Sequence, residues 1–227
     1  MTIRLAMLGD AIAAGRGASR RTETAGARLA RLLRDQGLTV TTRVFAVPGA
    51  RSDSLADQVD QARRWRPDVA VVIVGANDLI HHRPAPRAAA ELRDAVRRLR
   101  QLGAEVVVAP APDLSALPDV PWTARPVLRS ASMLLRDSQV IAALAEGAYV
   151  ADRDHATARA FADDPSLYCE DRFHPSSPGY ALIAEALMPA VSASLTARAA
   201  RTVGGSSTSL GGGAPRARRT PTEHGAR

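Results

Sequence analysis

The sequence has one cysteine, Cys169, and no lysine. A single thiol excludes an internal disulfide and any cysteine-built metal cluster. All 30 basic residues are arginine, a bias that a GC-rich genome explains more simply than function does. Aromatics make up only 4% of the 227 residues, so the core supplied by a 46% apolar composition is mostly Ala, Val and Leu. No apolar run approaches the roughly 20 residues that span a bilayer. Gly9 and Asp10 interrupt the N-terminal run, and no signal-peptide cleavage pattern follows. The expectation is a protein without a membrane span, cytoplasmic unless a leader has been removed. The body also lacks charge of one sign. Much of the formal +7 sits after residue 197, where Arg198, Arg201, Arg216, Arg218, Arg219 and Arg227 face only Glu223. What is left is too little for a nucleic-acid footprint.

What is present is a regular alternation of strand and helix periods. "IRLAML" (3–8) reads as a buried parallel strand, and "TAGARLARLLRDQG" (24–37) as a helix ending at Gly37. "LTVTTRVFAV" (38–47) is the second strand, followed by a helix over 54–66 with Asp53 as its cap. "DVAVVIVG" (68–75), "AEVVVAPA" (104–111) and "AYVAD" (148–152) complete five strands, with helices at 86–102, 124–146 and 177–195. The segment between 152 and 177 reads as irregular. Five strands separated by helices, without a hairpin signal, predict an α/β fold: a three-layer α/β/α sandwich around a five-stranded parallel sheet, flavodoxin-like in type. Residues 1–200 form the domain. The Gly/Ser/Arg-rich stretch 201–227 lacks apolar periodicity and is expected to be a disordered tail.

In such sheets ligands bind beyond the carboxyl ends of the strands, so the loops 9–17, 47–53, 75–84 and 110–123 share one rim. Four blocks stand out: "GDAIAAG" after the first strand, "VPGARSDS" (47–54) after the second, "VGANDL" (74–79) after the third, and "EDRFHPSSPGY" (170–180) before the last helix. Asp171 and His174 are three residues apart, so one turn can bring a carboxylate to an imidazole. That makes His174 a candidate general base and Asp171 its orienter. Gly49, in a turn after a strand, lets a backbone N–H approach a substrate oxygen, and Asn77 can donate to the same oxygen.

In this order the blocks make the chain resemble the SGNH hydrolases, the GDSL-type esterases and lipases, over residues 3–195. The resemblance implies a cofactor-free hydrolase of acyl esters working through an acyl-enzyme. It carries the oxyanion-hole roles to Gly49, Asn77 and the amide of residue 11. It also exposes the most telling absence. The family pattern is Gly-Asp-Ser, and this sequence reads Gly9-Asp10-Ala11. A methyl group cannot attack a carbonyl. Either a nucleophilic serine has been changed to alanine, the reading favoured by the intact base, orienter and oxyanion donors, or the chain is a natural pseudoenzyme that binds an ester or glycan. An acyltransferase is a further alternative.

Other candidates weigh less. Ser52 and Ser54 in "SDSL" (52–55) mimic the family tetrapeptide but open a helix, where capping is their expected role. Cys169 has no base of its own. His81, His82 and His155 lack metal-ligand spacing, "GRGAS" (15–19) lacks the ending of a phosphate loop, and Asp113 and Asp119 are expected to be solvated. Leu114, Leu117, Val120 and Trp122 are expected to cover the acyl or alcohol side of the pocket.

Overall fold

A computed structural model describes residues 2–153 and 155–206, the side chains of 202–206 excepted. In chain order its elements are β1 (Thr2–Gly9), α1 (Ala11–Ala14), α2 (Ala25–Asp35), β2 (Thr39–Val44), α3 (Leu55–Trp65), β3 (Val69–Ile73), α4 (Ala76–Ile80), α5 (Ala85–Gln101), β4 (Glu105–Ala109), α6 (Arg125–Ala145), β5 (Tyr149–Val150), α7 (Ala156–Asp163) and α8 (Ser177–Ser206). The strands form one parallel sheet in the order β2-β1-β3-β4-β5. This is the α/β sandwich that the alternation predicts.

Side-chain alternation along the strands sorts the core into two layers. Leu5, Met7, Val69, Val71 and Val107 face α2 and α8, meeting Leu29 and Leu33 on one helix and Tyr180, Leu187 and Val191 on the other. Ala6, Leu8, Val72, Val106 and Val108 face the opposite way, onto Leu55 and Val59 of α3 and Leu92, Val96 and Leu99 of α5. Each of the buried Leu, Val and Met side chains among these contributes about 1.5–3 kcal/mol of transfer free energy.

Three local expectations change. Asp53 does not cap α3: its carboxylate takes Arg83 at 2.7 Å and Arg51 at 3.3 Å, and the helix opens from a 3₁₀ turn at Ser52–Ser54. The irregular stretch before the last helix contains α7, whose one buried residue, Phe161, gives too little periodicity to read. The last helix runs to Ser206, past the composition change at 201, and the rest of the expected tail, 207–227, lies outside the described residues.

That last helix also qualifies the expectation on apolar runs. Its segment Ser177–Arg201 is long and apolar enough to cross a membrane by length and composition alone. Its stripe Tyr180, Ala184, Leu187 and Val191 is buried on the sheet and α2.

Candidate active site

At the carboxyl end of β1 the chain turns sharply. Gly9 has φ +124°, and a Cβ there would stand 1.7 Å from the carbonyl oxygen of Ile73, so only glycine lets β1 and β3 meet. Gln58 of α3 clasps this glycine: its Oε1 accepts from the Gly9 N–H at 2.7 Å and its Nε2 donates to the Gly9 oxygen at 2.9 Å. Asp10 then caps α1, accepting from the Ile12 N–H at 3.0 Å. Ala11 opens that helix and is 6% exposed. Among the described residues its N–H has no protein acceptor, as expected at a first helical position.

The second and third blocks meet beside it. The Val47 N–H donates to the Gly9 oxygen at 3.1 Å, starting the turn that contains Gly49. Gly49 has φ +83° with no atom within 4 Å of where a Cβ would stand, so the turn presents bare backbone. Asn77 Nδ2 donates to the Ala50 oxygen at 3.1 Å, tying α4 to that turn. The same two segments are joined underneath by Ser52, whose N–H and hydroxyl donate to Asp78 at 3.1 and 2.9 Å. Ser52 is therefore a buried tie rather than a helix cap. Arg83 Nε lies 3.1 Å from Asp78 and its guanidinium continues to Asp53 and Glu91.

Two buried carboxyls lie below the platform. Burial pushes Asp10 up to about 7 against the opposing Ile12 amide, and Asp78 raises it further. Burial likewise raises Asp78, opposed by the Ser52 amide and hydroxyl and by Arg83.

The fourth block holds the candidate base. In the turn 171–174, Arg172 takes φ +55° and Asp171 Oδ1 accepts from the N–H groups of Phe173 and His174 at 2.9 and 2.8 Å. This leaves Asp171 Oδ2 to face His174 Nδ1 at 2.6 Å. Burial raises the Asp171 carboxyl, but the His174 amide and ring, the Cys169 thiol and the Phe173 amide outweigh it and hold it well below the usual carboxylate range. An ionised Asp171 on Nδ1 fixes the tautomer, and among the described residues Nε2 has no hydrogen-bond partner. Cys169 is a donor here: its Sγ lies 3.1 Å from Asp171 Oδ1, and burial raises its pKa, the opposite of what a thiolate nucleophile needs.

This loop is stitched to the segment that follows Ala11. Tyr180 Oη donates to the Arg16 oxygen at 2.6 Å, the Ser19 N–H donates to Ser177 Oγ at 3.0 Å, and a Cβ at Gly17 would stand 3.0 Å from that of His174. The four blocks thus lie on one rim, three of them joined through Gly9, Ala50, Ser52 and Asp78, the fourth through Arg16 and Ser19. Gln58, Gln139 and Asp78 escape a sequence reading, because buried polar residues on amphipathic helices look like solvent-facing ones. Gln139 spans the ends of β3 and β4, donating to the Val74 oxygen at 3.1 Å and accepting from the Ala111 N–H at 2.7 Å.

An apolar cleft adjoins the rim. Of the four residues expected to cover the substrate pocket, Leu114 and Leu117 line this cleft, whereas Val120 and Trp122 do not, Trp122 being 82% exposed at the approach to α6. Asp119 is exposed and paired with Arg172 at 2.6 Å, while Asp113 caps a 3₁₀ turn by accepting from the Ser115 N–H at 2.9 Å.

The fold and this arrangement define a GDSL-type acylhydrolase scaffold. The chain belongs to the GDSL-like lipase/acylhydrolase family, whose model matches residues 7–182. It is 35% identical over 198 residues to the GDSL-like esterase Rv1075c of Mycobacterium tuberculosis, a match covering 86% of this chain and 63% of that protein, so it spans less than two thirds of this curated relative. Among solved structures it resembles the psychrotrophic esterase EstA of a Pseudoalteromonas species (17% identity, TM-score 0.67, 85% of this chain and 98% of that one). It also resembles TesA (18% identity, TM-score 0.70, 84% and 99%). A third similar structure is Axe2, an acetylxylan esterase from Geobacillus stearothermophilus (17% identity, TM-score 0.63, 83% and 94%). At these identities the structural likeness speaks to the fold.

Proposed function

We propose that the chain is a serine esterase scaffold for carboxylic acyl esters in which alanine occupies the nucleophile position, leaving it able to bind an ester and nearly unable to cleave one. The observation that carries this reading is the 2.6 Å contact between His174 Nδ1 and an ionised Asp171, on the rim that presents Ala11. With a hydroxyl on residue 11, Nε2 of His174 accepts its proton as the oxygen attacks the ester carbonyl, and Asp171 stabilises the imidazolium. The N–H groups of Ala11 and Gly49, which have no acceptor among the described residues, and the second N–H of the Asn77 amide serve the oxyanion. His174 then returns the proton to the leaving alcohol, and water releases the acyl group by the same route in reverse.

The relatives support the class. Solved structures similar to this chain include catalytic mutants of Axe2 with a serine or a histidine replaced by alanine. Loss of a triad serine costs on the order of 10⁶ in turnover. The test is Ala11→Ser, assayed on p-nitrophenyl esters beside Ala11→Ser/His174→Ala. Hydrolysis that appears in the first and is lost in the second supports the reading. A folded Ala11→Ser protein that cleaves no acyl ester overturns it.

A further inference from the structure

One face of α6 is apolar and open to solvent. Val127, Leu134 and Ile141 follow one another at seven-residue intervals and are 72%, 60% and 70% exposed, while the other face of the helix buries Leu135, Gln139, Ala142 and Ala143. Four residues after each of the three large side chains comes a small one: Ala131, Ser138 and Ala145. At 3.6 residues per turn these six positions fall within about 80° of one another, so they form one stripe. The Ser138 hydroxyl donates to the Leu134 oxygen at 2.8 Å, so covering the stripe strands no hydroxyl donor there. Leu144 flanks the stripe at one end, and Trp122 is exposed just before the helix at the other.

We propose that this stripe is the interface of a two-fold homodimer in which the α6 helices of two copies pack antiparallel. The pattern is complementary to itself. With the axis level with residue 136, Val127 faces Ala145 of the second copy, Leu134 faces Ser138 and Ile141 faces Ala131. Every large side chain then enters the gap over a small one, as knobs enter holes. A parallel pair would instead set large against large and small against small. The six stripe residues expose roughly 450 Å² per copy, a patch of the size that marks interaction surfaces. A symmetric pair thus buries roughly 900 Å² along the stripe alone, and Leu144 and the rim carry it past the roughly 1,000 Å² that a specific interface needs. Because α6 leads from the 110–123 loop into β5, it runs away from the rim, and the two-fold sends the two rims to opposite ends of the dimer.

Sedimentation velocity from about 1 to about 200 μM brackets the micromolar Kd that suits an interface of this size. The expected result is a monomer at the bottom of the series and a dimer at the top. Leu134→Glu should be a monomer throughout, with its circular dichroism and urea midpoint unchanged because the side chain is exposed. Ala131→Leu adds apolar surface, so a helix that is merely sticky would associate more tightly. In the packed register it fills the gap that receives Ile141, and the Kd should rise at least tenfold. Orientation is read by oxidative cross-linking in a Cys169→Ser background. Positions 127 and 145 lie about 27 Å apart along the helix, so Val127→Cys and Ala145→Cys should each fail to cross-link alone and should cross-link when mixed. A monomer at every concentration, a dimer untouched by Leu134→Glu, a tighter dimer in Ala131→Leu, or Val127→Cys chains that join each other, overturns the proposal.

Discussion

Gln58 satisfies both backbone polar groups of Gly9, at 2.7 and 2.9 Å, from a helix 49 residues further along the chain. One buried side chain therefore fixes the peptide units from which the Ala11 platform projects. Gln58→Leu keeps the volume and leaves the buried Gly9 N–H unpaired, costing about 1–3 kcal/mol, while the Gly9 carbonyl keeps the Val47 N–H. The expected outcome is a loss of about 1–3 kcal/mol in urea unfolding, and in the Ala11→Ser background a fall in kcat larger than any change in KM.

Asp171 offers a cleaner separation of charge from shape. Asp171→Asn preserves the side-chain outline and presents a wrong or neutral partner to Nδ1. In the Ala11→Ser background kcat should fall by about 10⁴, the scale seen for the equivalent change in triad enzymes. Because the Asp171 carboxyl is depressed in the fold, its stabilising contribution is present above the ordinary aspartate range and lost as pH falls toward its own lower value. The stability difference between parent and variant in thermal melts should therefore be larger at pH 6 than at pH 3.

Asn77 is a proposed oxyanion donor. Asn77→Ala removes the donor while Gly49 and the residue 11 amide remain, so kcat should fall by about 10²–10³. Its amide also holds the Ala50 oxygen at 3.1 Å. Asn77→Asp, which cannot donate, should be as inactive as the alanine variant in stopped-flow acylation, whereas Asn77→Gln should recover part of the rate.

Asp10 carries a pH signature of the opposite sign. Burial lifts its pKa to about 7, so the folded chain holds a proton that the unfolded chain has released by then. Its effect is harmless below about pH 4 and grows as pH rises toward 7, reaching at most about 4 kcal/mol. Asp10→Asn keeps an acceptor for the Ile12 N–H and removes the ionisation. Urea midpoints should favour the variant increasingly from pH 5 to pH 8, and a constant difference would contradict the assignment.

Much of this architecture was legible in the sequence because the signals were periodic. The five strands are short, apolar or, in β2, β-branched, and separated by helices, and four of the predicted strands contain the observed one while the first falls a residue short at each end. The blocks around Ala11, Gly49 and Asn77 follow β1, β2 and β3, the strands after which the alternation puts them. What escaped were pairings that leave no period. Ser52 looks like a cap and is a buried tie to Asp78. Asp53 sits where a cap belongs and answers to Arg83. Trp122 has the character of a pocket wall and is exposed. Identity alone cannot say which of several polar residues on one helix points inward.

The bond from Tyr180 to the Arg16 oxygen joins positions 164 residues apart. During synthesis β1 and its platform emerge long before the imidazole and its carboxylate. A half-made chain can thus assemble a sheet edge, yet the turn that carries His174 is not tied to the platform until α8 docks. Any event that detaches α8 would release that turn and uncover the face of the sheet that Tyr180, Leu187 and Val191 bury.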